Sequence, residues 1–165
     1  MKHLLICRHA KSPWAALSVA DHDRELNDEG VKEASDMGVR LLDRKVFFDL
    51  ILTSSATRAL TTSQLIASEV KYPLGKIKTD KKIYGADVAL LKEIISSTDK
   101  KVSSLAVFGH NPALTFFANE LSNVAILKFP TCAMLSISID ADSWKNCFNS
   151  SRETKFFDFP GKSAQ

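Results

Sequence analysis

An arginine and a histidine stand side by side at Arg8 and His9, a second arginine at Arg58 and a second exposed-end candidate histidine at His110. Guanidinium groups grip phosphoryl oxygens two at a time through a planar fork of N–H donors. A neutral imidazole can attack phosphorus in line and carry the phosphoryl group as phosphohistidine. A second imidazole, protonated, would stabilise charge on the equatorial oxygens, the chief demand of phosphoryl transfer. Arg8, His9, Arg58 and His110 are therefore the candidate catalytic set, provided the fold brings them together. Taken singly, Arg8-His9 could equally be a strand terminus with two solvated side chains. Arg58 could be a surface-turn arginine, and His110 a structural cap.

The elements needed to position them are readable. The run Leu4-Leu5-Ile6-Cys7 is apolar without alternation and ends at Arg8-His9, the pattern of a strand buried on both faces. Asp49 to Thr53 gives a second strand ending at Ser54-Ser55, and Ser104 to Phe108 another ending at Gly109-His110-Asn111-Pro112. Each run leads into a helical pattern: Val31, Ala34, Gly38, Leu41 and Leu42 for a helix over 28–43 capped by Asn27; Ala59, Thr62, Leu65 and Ile66; and Leu114, Phe117, Ala118 and Leu121, with Pro112 at its first position. Arg58 falls in a helix's first turn, where an anion would offset its conflict with the helix dipole. A weak strand is expected near Ile77-Lys78-Thr79, and Asp87 can cap a helix through Val88, Leu91, Ile94 and Ile95. Residues 133–139 alternate as a half-exposed strand, and Trp144 with Phe156-Phe157-Asp158-Phe159 is expected to close the sheet at one edge. The alternation predicts an α/β fold with three layers, a mostly parallel central sheet flanked by helices. In open sheets of this kind ligands bind beyond the carboxyl ends of the strands, where all four candidates would stand.

The 165 residues suit a single domain over 1–165. A net charge of +3, from 22 Lys+Arg against 19 Asp+Glu, with no recognised reader motif, gives nucleic acid no support as a partner. Lys76, Lys78, Lys81 and Lys82 read as a solvated edge. Three cysteines without CxxC spacing point to a reducing compartment, so a cytoplasmic, non-membrane protein is expected. GxGxxG, GxxxxGK[ST], GxSxG and HExxH are all absent, and Pro13 stands where a cysteine phosphatase starting at Cys7 would need arginine. Cys7 is read as a core residue, and chemistry without a metal remains.

The segments Leu5-Ile6-Cys7-Arg8-His9-Ala10-Lys11-Ser12, Asp23-Arg24-Glu25-Leu26 with Gly30, Thr53-Ser54-Ser55-Ala56-Thr57-Arg58-Ala59 with Thr61 and Thr62, and Val107-Phe108-Gly109-His110-Asn111-Pro112 occur in this order over residues 4–112. In this the chain resembles the histidine phosphatase superfamily (phosphoglycerate mutase-like), and within it the small SixA-type phosphohistidine phosphatases. The resemblance implies His9 as the phosphoryl-accepting nucleophile and Arg8, Arg58 and His110 as the phosphate pocket. It suggests Arg24, Ser12 and Asn111 as substrate-binding residues. It also implies no metal and no organic cofactor.

Two departures from the family pattern bear on substrate. Ala10 replaces the glycine that follows the Arg-His pair. No glutamate-bearing insertion precedes the second histidine; the region reads Lys82-Ile83-Tyr84-Gly85-Ala86-Asp87, and its carboxylate, Asp87, suits a helix cap better than a general acid. An alkoxide leaving group needs a positioned acid, whereas the P–N bond of phosphohistidine breaks with less help. The expected activity is therefore hydrolysis of phosphohistidine in a phosphorylated protein, by a monomer. A phosphatase of small phosphorylated molecules and a phosphate-binding regulatory module without turnover are the alternatives.

Overall fold

A computed structural model of the chain describes residues 1–14 and 18–162. In chain order it contains β1 (Lys2–Arg8), α1 (Asp28–Asp43), β2 (Leu50–Ser54), α2 (Thr57–Glu69), β3 (Lys78–Asp80), α3 (Val88–Ser96), β4 (Ser104–Gly109), α4 (Ala113–Leu121), β5 (Met134–Ile139) and β6 (Arg152–Asp158). The strands form one sheet in the order β3-β2-β4-β1-β5-β6. Its first four strands are parallel, while β5 pairs antiparallel with β1 and β6 antiparallel with β5. This is the expected three-layer, mostly parallel architecture, with an antiparallel pair added at one side.

Why β1 reads as an unbroken apolar run is visible in what it meets. Leu5 and Cys7 face a cluster with Ala34, Met37 and Leu41 of α1 and Ile66 and Ala67 of α2. Leu4 and Ile6 face a second cluster with Leu91, Ile94 and Ile95 of α3 and Leu114, Phe117 and Leu121 of α4. With helices on both faces, neither side of the strand has water to favour a polar residue.

Three expectations are corrected. β5 is not half-exposed: Met134 packs toward α1 and α2, while Leu135, Ile137 and Ile139 pack toward α3 and α4. β6 extends the sheet beyond it, which makes β5 an interior strand. Trp144 does not close an edge; it sits fully buried in a short 3-10 turn, its Nε1 donating to the Val102 carbonyl at 2.7 Å. Pro112 is the residue before the first turn of α4 rather than its first position. β6 does form the edge, and Asp158 at its end is clamped to α1 by Arg40 at 2.8 Å and Arg44 at 2.7 Å. Among the described residues no helix is long and apolar enough to cross a membrane.

The start of α1 is built against the segment that follows β1. The Asn27 side chain accepts from the Gly30 N–H at 2.8 Å, an N-cap worth about 1 kcal/mol. The Asn27 N–H donates to the Lys11 carbonyl at 3.1 Å. A Cβ on Gly30 would lie 2.2 Å from that same carbonyl oxygen, so only glycine lets the helix approach so closely. Gly30→Ala should therefore cost about 1–3 kcal/mol of stability, the usual range for overpacking against backbone. Urea unfolding of the two proteins reads this directly, and an unchanged midpoint would contradict it.

Candidate active site

The register of the central strands assembles the site. Arg8 of β1 lies opposite Gly109 of β4, so His9 and His110 are the next residues on neighbouring parallel strands. Their ring centroids are 5.3 Å apart, close to the spacing between strands. The backbone around His9 is held from both sides. The His9 N–H donates to the Gly109 carbonyl at 3.2 Å, and the Cys132 N–H donates to the His9 carbonyl at 3.0 Å. β2 ends beside β4 and brings Ser54, whose Oγ lies 2.7 Å from His110 Nε2. Arg58, in the first turn of α2, is buried. The surface-turn alternative for it is thereby excluded. The four expected catalytic candidates are all brought together at the carboxyl ends of β1, β2 and β4.

His9 Nδ1 lies 2.7 Å from the Ala10 carbonyl oxygen, which can only accept, so Nδ1 carries the proton and Nε2 keeps its lone pair. Burial lowers the His9 pKa to about 4, against the opposing pull of that hydrogen bond and with help from Arg58, Arg8 and Arg24. Burial likewise lowers His110 to about 3, with His9 and Arg58 adding to it. The second imidazole, expected to be protonated when it faces a phosphoryl group, thus has its pKa held down by its own burial. Both rings are neutral at pH 7, and an approaching phosphoryl dianion would draw their pKa values upward again. Burial and the Arg58 charge also lower the Arg8 pKa, as expected where two cations crowd one site.

The Ala10 N–H donates to Thr62 Oγ1 at 2.9 Å, and that hydroxyl donates to the Arg58 carbonyl at 2.6 Å. One side chain thus ties the residue after the candidate nucleophile to the turn that carries Arg58. Arg8 Nη1 donates to the Phe129 carbonyl at 3.2 Å. Arg8 Nε, Arg58 Nε and His110 Nδ1 are buried and find no hydrogen-bond partner among the described residues. Leaving a buried polar group unpaired costs about 1–3 kcal/mol, a cost that an anion reaching the two arginine Nε–H donors would offset.

The three substrate-binding candidates differ in what their side chains do. Arg24 is buried beside the site, its Nη1 donating to the Ser12 carbonyl at 2.7 Å and its Nε to Asp21 at 3.0 Å. The Trp14 ring lies over its guanidinium at 4.3 Å. The Ser12 hydroxyl donates to the Glu25 carbonyl at 2.7 Å. Asn111 Nδ2 donates to the Phe129 carbonyl at 2.9 Å, the same oxygen that Arg8 uses. Asp87 caps α3, accepting from the Leu90 N–H at 2.9 Å. Cys7 is fully buried, and burial and the neighbouring Cys132 thiol push its pKa well up, in keeping with a core role. Among the described residues no group of three His, Cys, Asp or Glu could hold a metal ion.

Two residues at the site were not singled out from sequence. Asp21 receives Arg24 Nε, Arg58 Nη2 at 3.1 Å and the Tyr84 hydroxyl at 2.6 Å on its carboxylate, and Arg58 Nη1 at 2.6 Å on its carbonyl. The Tyr84 hydrogen bond and the arginines lower the Asp21 pKa to about 2 despite its partial desolvation. The Tyr84 ring stands edge-on to both His22, at 5.0 Å, and His110, at 5.5 Å. The signal in sequence was the spacing of Asp21 three residues before Arg24, which permits a local ion pair.

The family model of the histidine phosphatase superfamily (branch 1) matches residues 4–83. An uncharacterized protein of Mycobacterium leprae is 31% identical over 166 residues, covering 93% of this chain and 99% of that one. Among solved structures, a candidate phosphohistidine phosphatase SixA from Agrobacterium tumefaciens aligns with TM-score 0.81 at 26% identity, covering 97% of this chain and 99% of that one. A protein histidine phosphatase SixA complexed with tungstate aligns with TM-score 0.80 at 23% identity, over 96% and 97% of the two chains. Fold and strand-end site together define the phosphoglycerate mutase-like class of α/β proteins. The chain belongs to the histidine phosphatase superfamily, and that membership supports a phosphatase.

The depressed imidazoles make stability depend on pH with a definite sign. Between pH 6.5 and about 4 the unfolded chain binds protons at His9 and His110 that the folded chain refuses. The stability contributed by keeping them neutral is complete above pH 6.5 and is lost as pH falls, by about 1.4 kcal/mol per unit for each ring. His9→Gln removes one of these titrations. Its urea midpoint should fall less than that of the wild type between pH 7 and pH 4.5, and equal falls would refute the assignment.

Proposed function

We propose that this protein is a metal-independent phosphatase that works through a phosphohistidine intermediate on His9 and acts on phosphohistidine in proteins. The observation that carries the reading is the state of His9: neutral, with Nδ1 spent on the Ala10 carbonyl and Nε2 left as the lone-pair donor among cationic groups. In the first step Nε2 attacks phosphorus in line, the bond from phosphorus to the leaving nitrogen breaks, and that nitrogen keeps the electron pair and takes a proton from solvent. In the second, water attacks phospho-His9, the P–Nε2 bond breaks, and inorganic phosphate departs with His9 regenerated.

Arg8 and Arg58 hold the phosphoryl oxygens with the N–H groups that the protein leaves unpaired. His110 joins them as a hydrogen-bonding partner that gains charge as the anion arrives. The guanidiniums supply the positive charge that a metal would otherwise bring. Arg24, buried beside these groups and charged, is assigned to substrate binding in this reading. Ser12 and Asn111 act one step removed, holding the segments that carry Arg24 and Arg8.

Two features favour a phosphoramidate on a protein over a small ester. The carboxylate at the site, Asp21, is held ionised down to about pH 2 and has no proton to give an alkoxide. The surroundings also present exposed apolar side chains. Trp14 is 81% exposed over Arg24, and Leu127 is 95% exposed two residues from the carbonyl that receives Arg8. Exposed apolar groups of this kind fit another protein's surface. Three free, buried cysteines accord with a reducing, cytoplasmic setting.

The test is acid-labile phosphoryl labelling with turnover of a phosphohistidine peptide and of p-nitrophenyl phosphate. His9→Ala should abolish the label and lower turnover by several orders of magnitude, and Arg58→Ala should lower it about 10²–10³-fold. The peptide should be the better substrate. Full activity in His9→Ala would overturn the mechanism, and a preference for the ester would overturn the substrate class.

A further inference from the structure

Arg58 carries five N–H groups, and the protein uses them unevenly. Its terminal nitrogens go to Asp21, Nη1 to the carbonyl at 2.6 Å and Nη2 to the carboxylate at 3.1 Å. Nε is buried and unpartnered among the described residues. A guanidinium offers two bidentate edges, one between its terminal nitrogens and one between Nε and Nη2. Asp21 occupies the first and leaves the second, with its Nε, without a partner among the described residues.

The same carboxylate takes Arg24 Nε on one oxygen and the Tyr84 hydroxyl on the other. It therefore ties together the 3-10 turn at Asp21–Asp23, the first turn of α2 and the 3-10 turn at Lys81–Gly85. Tyr84 is held in turn against His22 and His110 by its ring edges. His22 Nε2 pairs with Ser55 Oγ at 2.9 Å, closing the ring of contacts onto the end of β2. Neither Asp21 nor Tyr84 is among the residues to which the family resemblance gives a role.

We infer that Asp21 is a positioning residue for phosphate recognition: it fixes Arg58 by one edge so that the other faces the phosphoryl group, and it sets Arg24 and Tyr84 around the opening in the same act. The inference rests on the phosphatase reading for its biological sense, but its physical content is affinity for an oxyanion. A carboxylate so close to two arginines could instead compete with phosphate for them. The two cases differ in sign. A positioning carboxylate raises phosphate affinity, and a competing one lowers it. Use of the terminal edge of Arg58, with the side edge left unpaired, favours positioning.

The experiment is calorimetric titration of inorganic phosphate into the wild type, Asp21→Asn, Asp21→Glu and Tyr84→Phe, alongside steady-state turnover of the phosphohistidine peptide. Asn keeps one acceptor oxygen and replaces the other with a donor that faces donors. Asp21→Asn should weaken phosphate binding at least about tenfold and lower kcat/KM about 10–100-fold, the range for losing a charge-assisted contact on an aimed guanidinium. Asp21→Glu, which keeps the charge, should recover part of both, and Tyr84→Phe should lose only a few-fold. Thermal unfolding midpoints, compared in parallel, separate this from simple loss of folding, which Asp21→Glu would not rescue selectively. Unchanged or tighter phosphate binding in Asp21→Asn overturns the inference. Should phosphate binding fall in Asp21→Asn while no His9-dependent turnover exists in any variant, the positioning role stands and the phosphatase reading falls.

Discussion

The parallel pairing of β1 with β4, Arg8 opposite Gly109, is the constraint on which the rest depends. Parallel strands run the same way and therefore end together, about 4.8 Å apart. Two histidines separated by a hundred residues of chain are thus set side by side by backbone geometry before any side chain is chosen. The hydrogen bonds that continue past the strand ends, from His9 to Gly109 and from Cys132 to His9, extend that order by one residue and hold the backbone of His9 itself. β2 completes the set by ending against β4 and turning at once into the helix that carries Arg58.

Gathering three arginines and two histidines in a largely desolvated space is unfavourable, and the site relieves the strain in two ways. Both imidazoles give up their charge, because burial and the guanidiniums disfavour it. One carboxylate, Asp21, takes up part of the remaining positive charge. The consequence for chemistry is favourable: a neutral imidazole is the form that can attack, and guanidiniums with unpaired N–H groups are the form that can bind an anion.

The strands and helices were legible because their signals are local. An apolar run four residues long, an asparagine before a helical pattern and a glycine at its third position are readable without knowing the neighbours. The meeting of Arg8, His9, Arg58 and His110 was legible because each sits at the end of such a run. What was not legible depends on contacts between distant segments. Asp21 acquires its place from Arg58 and Tyr84, 37 and 63 positions away. β5 alternates in sequence like a half-exposed strand, yet Met134 packs into the core on one side of the sheet while Leu135, Ile137 and Ile139 pack into the core on the other. Trp144 looked like an edge residue because its indole N–H finds its acceptor at Val102, far back in the chain. The neutrality of His110 follows from burial and neighbouring charge, neither of which a histidine at a strand end reveals.

Thr62 gives the site its stiffness. Its single hydroxyl receives the N–H of Ala10 and gives its own proton to the carbonyl of Arg58, bracing strand end against helix across one oxygen atom. The backbone after His9 and the backbone of Arg58 are thereby held at a separation set by covalent lengths and two short bonds. Rigidity of this kind scales with the number of braces and not with the mass of protein around them. Groups so braced keep their register through local contacts alone.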